Sequence, residues 1–191
     1  MLIEQAEERF GPIDLFVANA GIGGQAGGVE VADDEWHRIW DINVMHHVWS
    51  ARHMIPRWQQ RGGGYLLTTA SAAGLLSNLG TAPYTVTKHA AVALAEWLAI
   101  THADDAIVVS VLCPQAVRTA MTESDDPAVA NVVAQGMIEP ANVADAVIAG
   151  LEAETFHILP HPQVADYVRH KGTNIESWLE AMRKLNRKFF P

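Results

Sequence analysis

The chain of 191 residues holds a single cysteine, Cys113. One thiol cannot close an intramolecular disulfide framework, nor supply a zinc site built on several thiolates. Positive charge is also short: 13 Lys and Arg stand against 22 Asp and Glu, a formal charge of −9. That balance excludes the basic footprint that nucleic acid and anionic membranes require. No apolar run approaches the roughly 18 residues of a membrane span. The opening Met1-Leu-Ile-Glu-Gln-Ala-Glu-Glu has neither the basic nor the apolar region of a signal peptide. Internal repeats, low-complexity tracts and linkers are missing as well. The remaining composition, 49% apolar and 18% charged, describes a soluble, cytoplasmic, single globular domain.

What is there alternates between two periods. Leu2, Ile3, Ala6 and Phe10 repeat at helical spacing until Gly11-Pro12. No N-cap or strand precedes them, so the pattern opens partway through an α/β alternation. Leu15–Ala18 reads as a short buried strand, followed by a glycine-rich stretch from Asn19 to Gly28. Asp33-Asp34 can cap a long helix toward Gln60, with Trp36, Ile39, Trp40, Val44, Val48 and Ala51 on one stripe. Pro56 should bend or fray its last turn, and Gly62-Gly63-Gly64 should stop it. Strands are expected at 65–70 and 107–113, with an Ala-rich helix from Pro83 to Thr101 between them. A polar loop is expected from Pro114 to Pro127 and a helix from Pro140, with Val143, Ala146, Val147 and Leu151 on one face. A last strand at 156–160 and a helix from Ile175 to Phe190 complete the order. Strands alternating with helices mean a doubly wound parallel sheet.

The residues with chemistry are Ser71, Tyr84 and Lys88. Ser71 follows a strand end, where open α/β sheets form ligand crevices. Tyr84 and Lys88 are four apart and share a helix face. By itself such a pair usually marks only a helix surface. A phenol with a reference pKa of about 10 is a poor base, and a neighbouring ammonium favours its ionised form. A serine hydroxyl beside them can bond the same substrate oxygen, so the set can move a proton on or off an alcohol or carbonyl.

The wider constellation is more specific. Asn19-Ala20-Gly21 after a strand, Asn43 in the next helix, Ser71, Tyr84-x-x-x-Lys88, and Pro114 after an apolar strand occur in order. With these residues the sequence resembles the short-chain dehydrogenase/reductase family from Leu2 to about Pro160. The resemblance implies a Rossmann-like α/β fold and reversible hydride transfer between NAD or NADP and an alcohol, ketone or aldehyde. It implies Tyr84 as general acid/base, Lys88 as the residue that lowers its pKa and binds the nicotinamide ribose, and Ser71 as the residue orienting the substrate oxygen. Asn43 would anchor a relay water. Asn19, Ala20 and Gly21 would line the adenosine side of the cofactor, and Pro114, Val117 and Thr119 would close over the nicotinamide. A homodimer or homotetramer is implied, with the long helix and the Tyr-bearing helix as its face.

Three departures accompany the resemblance. The family's Asn-Asn-Ala-Gly reads Ala18-Asn19-Ala20-Gly21, and its Pro-Gly reads Pro114-Gln115, which can bring a side chain into the pocket. The glycine-rich dinucleotide turn of the first strand is not found, so the fold is expected to be N-terminally truncated, lacking three strands and their helices. Two βαβ crossovers amount to some 60–80 residues, at roughly 30 or more each. Gly21-Ile-Gly23-Gly-Gln-Ala26 matches G-x-G-x-x-A but opens no βαβ unit, and reads as a loop at the active-site edge. The expected organisation is one partial Rossmann domain over 1–191, with 161–191 as a C-terminal extension carrying a helix. The rival expectation is a non-catalytic fragment that keeps sheet and oligomer interface but holds no cofactor. Its first strand would be an open apolar edge, making the chain oligomeric or poorly soluble and a weak NAD(P)H binder.

No metal is expected: His157 and His161 flank Pro160 without an acidic third ligand. His46 should face solvent or an interface, and Trp36, Trp40 and Trp49 should serve core or interface. The substrate pocket should involve the loop after Pro114, the segment from Leu75 to Leu79, and the C-terminal helix around Trp178. Those residues suit a hydrophobic alcohol or ketone.

Overall fold

The computed structural model describes residues 2–123 and 126–190. Ser124 and Asp125, within the loop expected between Pro114 and Pro127, lie outside the described residues. In chain order the elements are α1 (Leu2–Phe10), β1 (Leu15–Ala18), α2 (Asp33–Trp40), α3 (His46–Arg61), β2 (Gly64–Thr69), α4 (Ala82–Thr101) and β3 (Ile107–Leu112). Then come β4 (Ala116–Val117), α5 (Pro127–Val133), β5 (Met137–Ile138), α6 (Pro140–Glu152), β6 (His157–Ile158), α7 (Gln163–Thr173) and α8 (Ile175–Phe189).

The main sheet runs β1-β2-β3-β6, all parallel, with Val17 opposite Leu67, Leu67 opposite Ser110, and Leu112 opposite Ile158. Alternation along the strands assigns side chains to two covered faces. Leu66, Val109 and Val111 pack with Ala51, Met54, Trp58, Ala91 and Ala95 of α3 and α4. Leu67, Leu112 and Ile158 pack with Val143, Ala146, Val147 and Leu151 of α6. This is the Rossmann-like α/β architecture with a doubly wound parallel sheet.

The long helix differs from the sequence expectation in three ways. Its N-cap is Ala32, not an aspartate; Asp33, Asp34 and Glu35 instead occupy the first turn, where the helix dipole favours them. A π-helical turn, Asp41–Met45, interrupts it between α2 and α3. The extra residue rotates α3 relative to α2, since one residue is about 100° of helix. His47, Ala51, Met54 and Trp58 therefore form the buried stripe of α3, and Val48 is only half-buried. Finally, Pro56 does not fray the last turn. Its ring is exposed, the helix continues to Arg61, and Gly62 in the left-handed region (φ 85°) terminates it.

The segment from Pro114 to Pro140 is more structured than expected. β4 and β5 pair as a two-stranded parallel sheet, and α5 lies between them. Helix α7 also had no clear sequence signal. It brings Val164 into a cluster with Ala72, Leu76 and Trp178, which seats α8 over the end of β2. Among the described residues no helix is long and apolar enough to cross a membrane.

Candidate active site

Ser71 sits two residues past β2, and its hydroxyl faces two ways. It accepts from the Ala73 amide at 3.1 Å and donates to the Pro114 carbonyl at 3.3 Å, tying the end of β2 to the segment after β3. Pro83 at the start of α4 fixes the helix entry, placing Tyr84 in the first turn and Lys88 one turn further. The Lys88 ammonium lies 5.7 Å from the Tyr84 ring centroid and donates to the Thr69 carbonyl at 3.2 Å. Gly74 makes this packing possible. A Cβ there would stand 2.4 Å from the Lys88 carbonyl oxygen, a backbone atom that cannot turn aside.

Asn43 is fully buried in the π-helical turn. Its Oδ1 accepts from the Ile22 amide at 2.9 Å, while its Nδ2 donates to the Ile22 carbonyl at 3.0 Å and to the Thr87 hydroxyl at 3.2 Å. The side chain thus clamps the loop after β1 against α4. That loop also bonds the start of α4, through Gly27 N to Gly80 O at 2.8 Å and Ala82 N to Gly27 O at 2.9 Å. No helix follows the Gly21–Ala26 stretch until Asp33.

Of the remaining residues singled out in the sequence, Asn19 and Ala20 are exposed at the C-terminal end of β1. Gly21 is where the loop meets the site: a Cβ would lie 3.2 Å from Lys88 Nζ and 3.4 Å from Asn43 Oδ1. Pro114 is half-buried after β3 and takes the Ser71 bond. Val117 belongs to β4 and pairs with Ile138. Exposed Thr119 caps the short helical turn Ala120–Thr122.

Electrostatics here are set by burial. Burial raises the Tyr84 pKa above its ordinary value, and the Ser71 hydroxyl opposes the rise. The net direction is upward because burial outweighs the rest, and the neighbouring Lys88 ammonium is itself desolvated, its pKa lowered from 10.5 to about 8. Cys113, buried behind them, has its thiol pushed up to about 12 by burial, so it stays a neutral thiol.

The lysine carries a testable cost. Between about pH 8 and 10.5 the unfolded chain retains a proton on Lys88 that the folded chain has released. Stability therefore rises with pH across that window, and at pH 7 the buried ammonium is unfavourable on the order of 3 kcal/mol. Lys88→Met keeps the stem but loses the Thr69 bond, worth about 1 kcal/mol. The variant is expected to be more stable than the parent at pH 7, by about 1–3 kcal/mol, with the gain shrinking as pH rises through that window. Urea denaturation at neutral and alkaline pH checks this; a variant less stable at pH 7 would contradict it.

One histidine does not sit as the sequence suggested. Because α3 packs against β1, His46 turns inward: its ring nitrogens are out of solvent and its ring centroid lies 3.7 Å from that of His47. His47 is fully buried and held neutral, its pKa lowered by burial to about 3. His161 bridges backbone atoms, its Nδ1 accepting from the Gln115 amide at 3.2 Å and its Nε2 lying 3.1 Å from the Ala116 carbonyl. Among the described residues no three His, Cys, Asp or Glu side chains cluster to hold a metal.

Ser71 and Tyr84 open onto a cavity of about 610 Å³. Leu76, Met121, Val129, Trp178 and Met182 give it an apolar body, and Gln115, Gln135, Asn78 and Asn131 give it polar points. Gln115, which stands where the family has glycine, does line the cavity, and its Oε1 accepts from Gln163 at 2.9 Å. Asn131, Gln135 and Tyr167 were missed by sequence reasoning; they lie on α5 and α7 or just beyond, in a region without strong periodicity.

Residues 1–130 match the short chain dehydrogenase family. The chain is 36% identical over 160 residues to 1-deoxy-11-beta-hydroxypentalenate dehydrogenase of Streptomyces avermitilis, covering 82% of this chain and 59% of that protein. It is 32% identical over 120 residues to 3beta-hydroxysteroid dehydrogenase 2 of Eggerthella lenta, covering 62% and 46%. A short chain dehydrogenase/reductase from Burkholderia phymatum, solved in complex with NAD, superposes with a TM-score of 0.82 at 28% identity, covering 92% of this chain and 70% of that one. The chain thus spans roughly half to three fifths of the curated relatives just named. A parallel sheet of this order, with serine, tyrosine and lysine converging at its C-terminal edge and the match covering residues 1–130, makes the chain a member of the short-chain dehydrogenase/reductase family.

Proposed function

We propose that this chain carries the proton-transfer and substrate-binding portion of an NAD(P)-dependent oxidoreductase that interconverts an alcohol and a ketone or aldehyde. The observation carrying this reading is the placement of the Ser71 and Tyr84 hydroxyls on one wall of an apolar cavity, with Lys88 behind Tyr84. In the oxidative direction Tyr84 accepts the alcohol proton as the carbon loses hydride, and in the reductive direction it returns that proton to the carbonyl oxygen. Ser71 holds the same oxygen in place. Asn43 fixes the loop at Gly21, through Ile22, against the lysine.

The residues present fit the ribose end of a dinucleotide. Lys88 has three N–H donors and gives one to Thr69, and Gly21 leaves open the space that a Cβ would fill beside it. Lys88 would hold the ribose hydroxyls there, with Asn19, Ala20, Pro114, Val117 and Thr119 flanking. The nicotinamide cofactor, when bound, supplies the hydride acceptor or donor. The described residues contain no strand–glycine turn–helix unit for the pyrophosphate, because the Gly21–Ala26 turn runs into the bridge between Gly27 and Thr81.

We read 1–191 as one domain, with 161–191 closing the cavity. Half-exposed Trp49 on α3 and Val86, Trp97 and Ile100 on α4 supply the face of a homodimer or homotetramer. The reading of a sheet that associates without cofactor draws on β1, which among the described residues pairs only with β2 while Leu15 and Val17 stay exposed. One assay separates the readings. Turnover of apolar secondary alcohols with NAD+ or NADP+ is expected for the oxidoreductase, together with NADH or NADPH fluorescence binding. Association in light scattering with neither binding nor turnover would favour the second reading.

A further inference from the structure

The polar groups of the cavity fall into two sets. Ser71 and Tyr84 form the first, from the end of β2 and the start of α4. The second belongs to α5. Asn131 is 3% exposed and lines the cavity, yet its Oδ1 meets no hydrogen-bond partner among the described residues. Its neighbours are occupied. Gln135 donates to the Asn131 carbonyl at 3.1 Å and accepts from Gln115 at 3.4 Å, and Gln115 accepts in turn from Gln163. Asn78, on the same cavity, gives its Nδ2 to Thr81 at 2.9 Å while its buried Oδ1 is also unpartnered.

A buried amide oxygen left unpaired costs about 1–3 kcal/mol, and native proteins rarely tolerate one without a reason. Here two residues that line one cavity each carry such an oxygen in their side-chain amide, and Asn131 stands where apolar packing would have been the cheaper solution. We infer that Asn131 is a second anchoring point for substrate, binding an oxygen function remote from the carbon that reacts at Tyr84. A hydroxyl fits best, because it both donates and accepts and so matches the amide in either orientation. The substrate class is then a compound with an apolar body and two oxygen groups, a diol or hydroxyketone, in preference to a simple monoalcohol. This rests on the alcohol–ketone reading above and adds to it the far end of the substrate.

The test uses binding to the full 191-residue chain, and needs neither cofactor nor turnover. Saturated α,ω-diols and the monoalcohols of matching chain length, taken over several lengths, are compared by titration calorimetry. In a cavity that is apolar throughout, the added hydroxyl weakens binding, since it leaves water for no partner. With Asn131 pairing it, the diol of best length is expected to bind about tenfold tighter than its monoalcohol. Asn131→Leu, of similar size, should reverse that order and leave the monoalcohol unchanged or tighter. If leucine disturbs the fold, Asn131→Ala carries the same comparison. A parent protein that binds diols no better than monoalcohols overturns the inference, as does a diol preference that survives both substitutions. Those outcomes leave the Tyr84 chemistry standing; turnover that persists in Tyr84→Phe removes that chemistry without moving the calorimetry.

Discussion

Tyr84→Phe is expected to lower alcohol oxidation in the cofactor-loaded protein by about a hundred- to ten-thousandfold, the range that positioned acid/base groups contribute. The substitution deletes one oxygen and keeps the ring, so the packing of Lys88 over it at 5.7 Å is retained. Folding stability should change little, and affinity for apolar alcohols only modestly. The parent should also show oxidation rising with pH. Burial holds the Tyr84 pKa above its ordinary value, so at neutral pH the proton-accepting form is scarce and alkali increases it. The variant should lose the rate and the rise together. Steady-state rates over pH, beside melting curves, decide the matter: a variant that keeps the parent's rate, or its pH profile, excludes Tyr84 as the proton acceptor. Ser71, which opposes the pKa rise, cannot substitute as the base, because a neutral aliphatic hydroxyl does not take up a proton near neutral pH.

Much of this was legible in the sequence, for reasons that differ by residue. Strands such as Ile107–Leu112 are apolar throughout because both faces are covered, and an uninterrupted β-branched run bounded by polar turns is a strong local signal. Tyr84 and Lys88 were readable because helix geometry alone puts positions four apart on one face. The π-helical turn was not. Its extra residue lies inside an otherwise continuous helical pattern, and only contact with the Ile22 backbone and Thr87 reveals why Asn43 needs it. Trp40 and Trp49 are half-exposed, where a uniform period had aligned Trp40 with the core stripe. The expected pocket segments, 75–79, the loop after Pro114 and the helix around Trp178, do line the cavity, but the order of the wall between Pro114 and Pro140 was illegible for another reason. β4 and β5 have two residues each and α5 has seven, too short for periodicity, and their order comes from pairing with one another. The direction of the Tyr84 pKa depends on how deeply both partners are desolvated, which a spacing of four cannot express.

Trp58→Ala is expected to have the opposite signature to Tyr84→Phe: a large loss of stability with little intrinsic effect on the site. Trp58 is fully buried where α3 meets the sheet, and its indole N–H donates to the Ile13 carbonyl at 2.8 Å. It packs in the core beside Leu66, Val109 and Leu98, so truncation leaves a cavity among side chains already fixed by the strands and α4. The cost of such a truncation is about 3–5 kcal/mol. The lost hydrogen bond adds little, because the Arg61 guanidinium also donates to Ile13. Against a total stability of roughly 5–15 kcal/mol, this is a large fraction. A domain of this size would lose on the order of 2–4 °C in Tm per kcal/mol, hence about 6–20 °C. Thermal and urea denaturation measure it, and a loss below about 1 kcal/mol would mean that the core collapses around the gap. Trp58 does not line the cavity, so at temperatures where the variant is folded its affinity for apolar alcohols should match the parent's. If affinity falls with stability, then α3 transmits core packing to the cavity, and its route is the Asn43 clamp on the loop after β1.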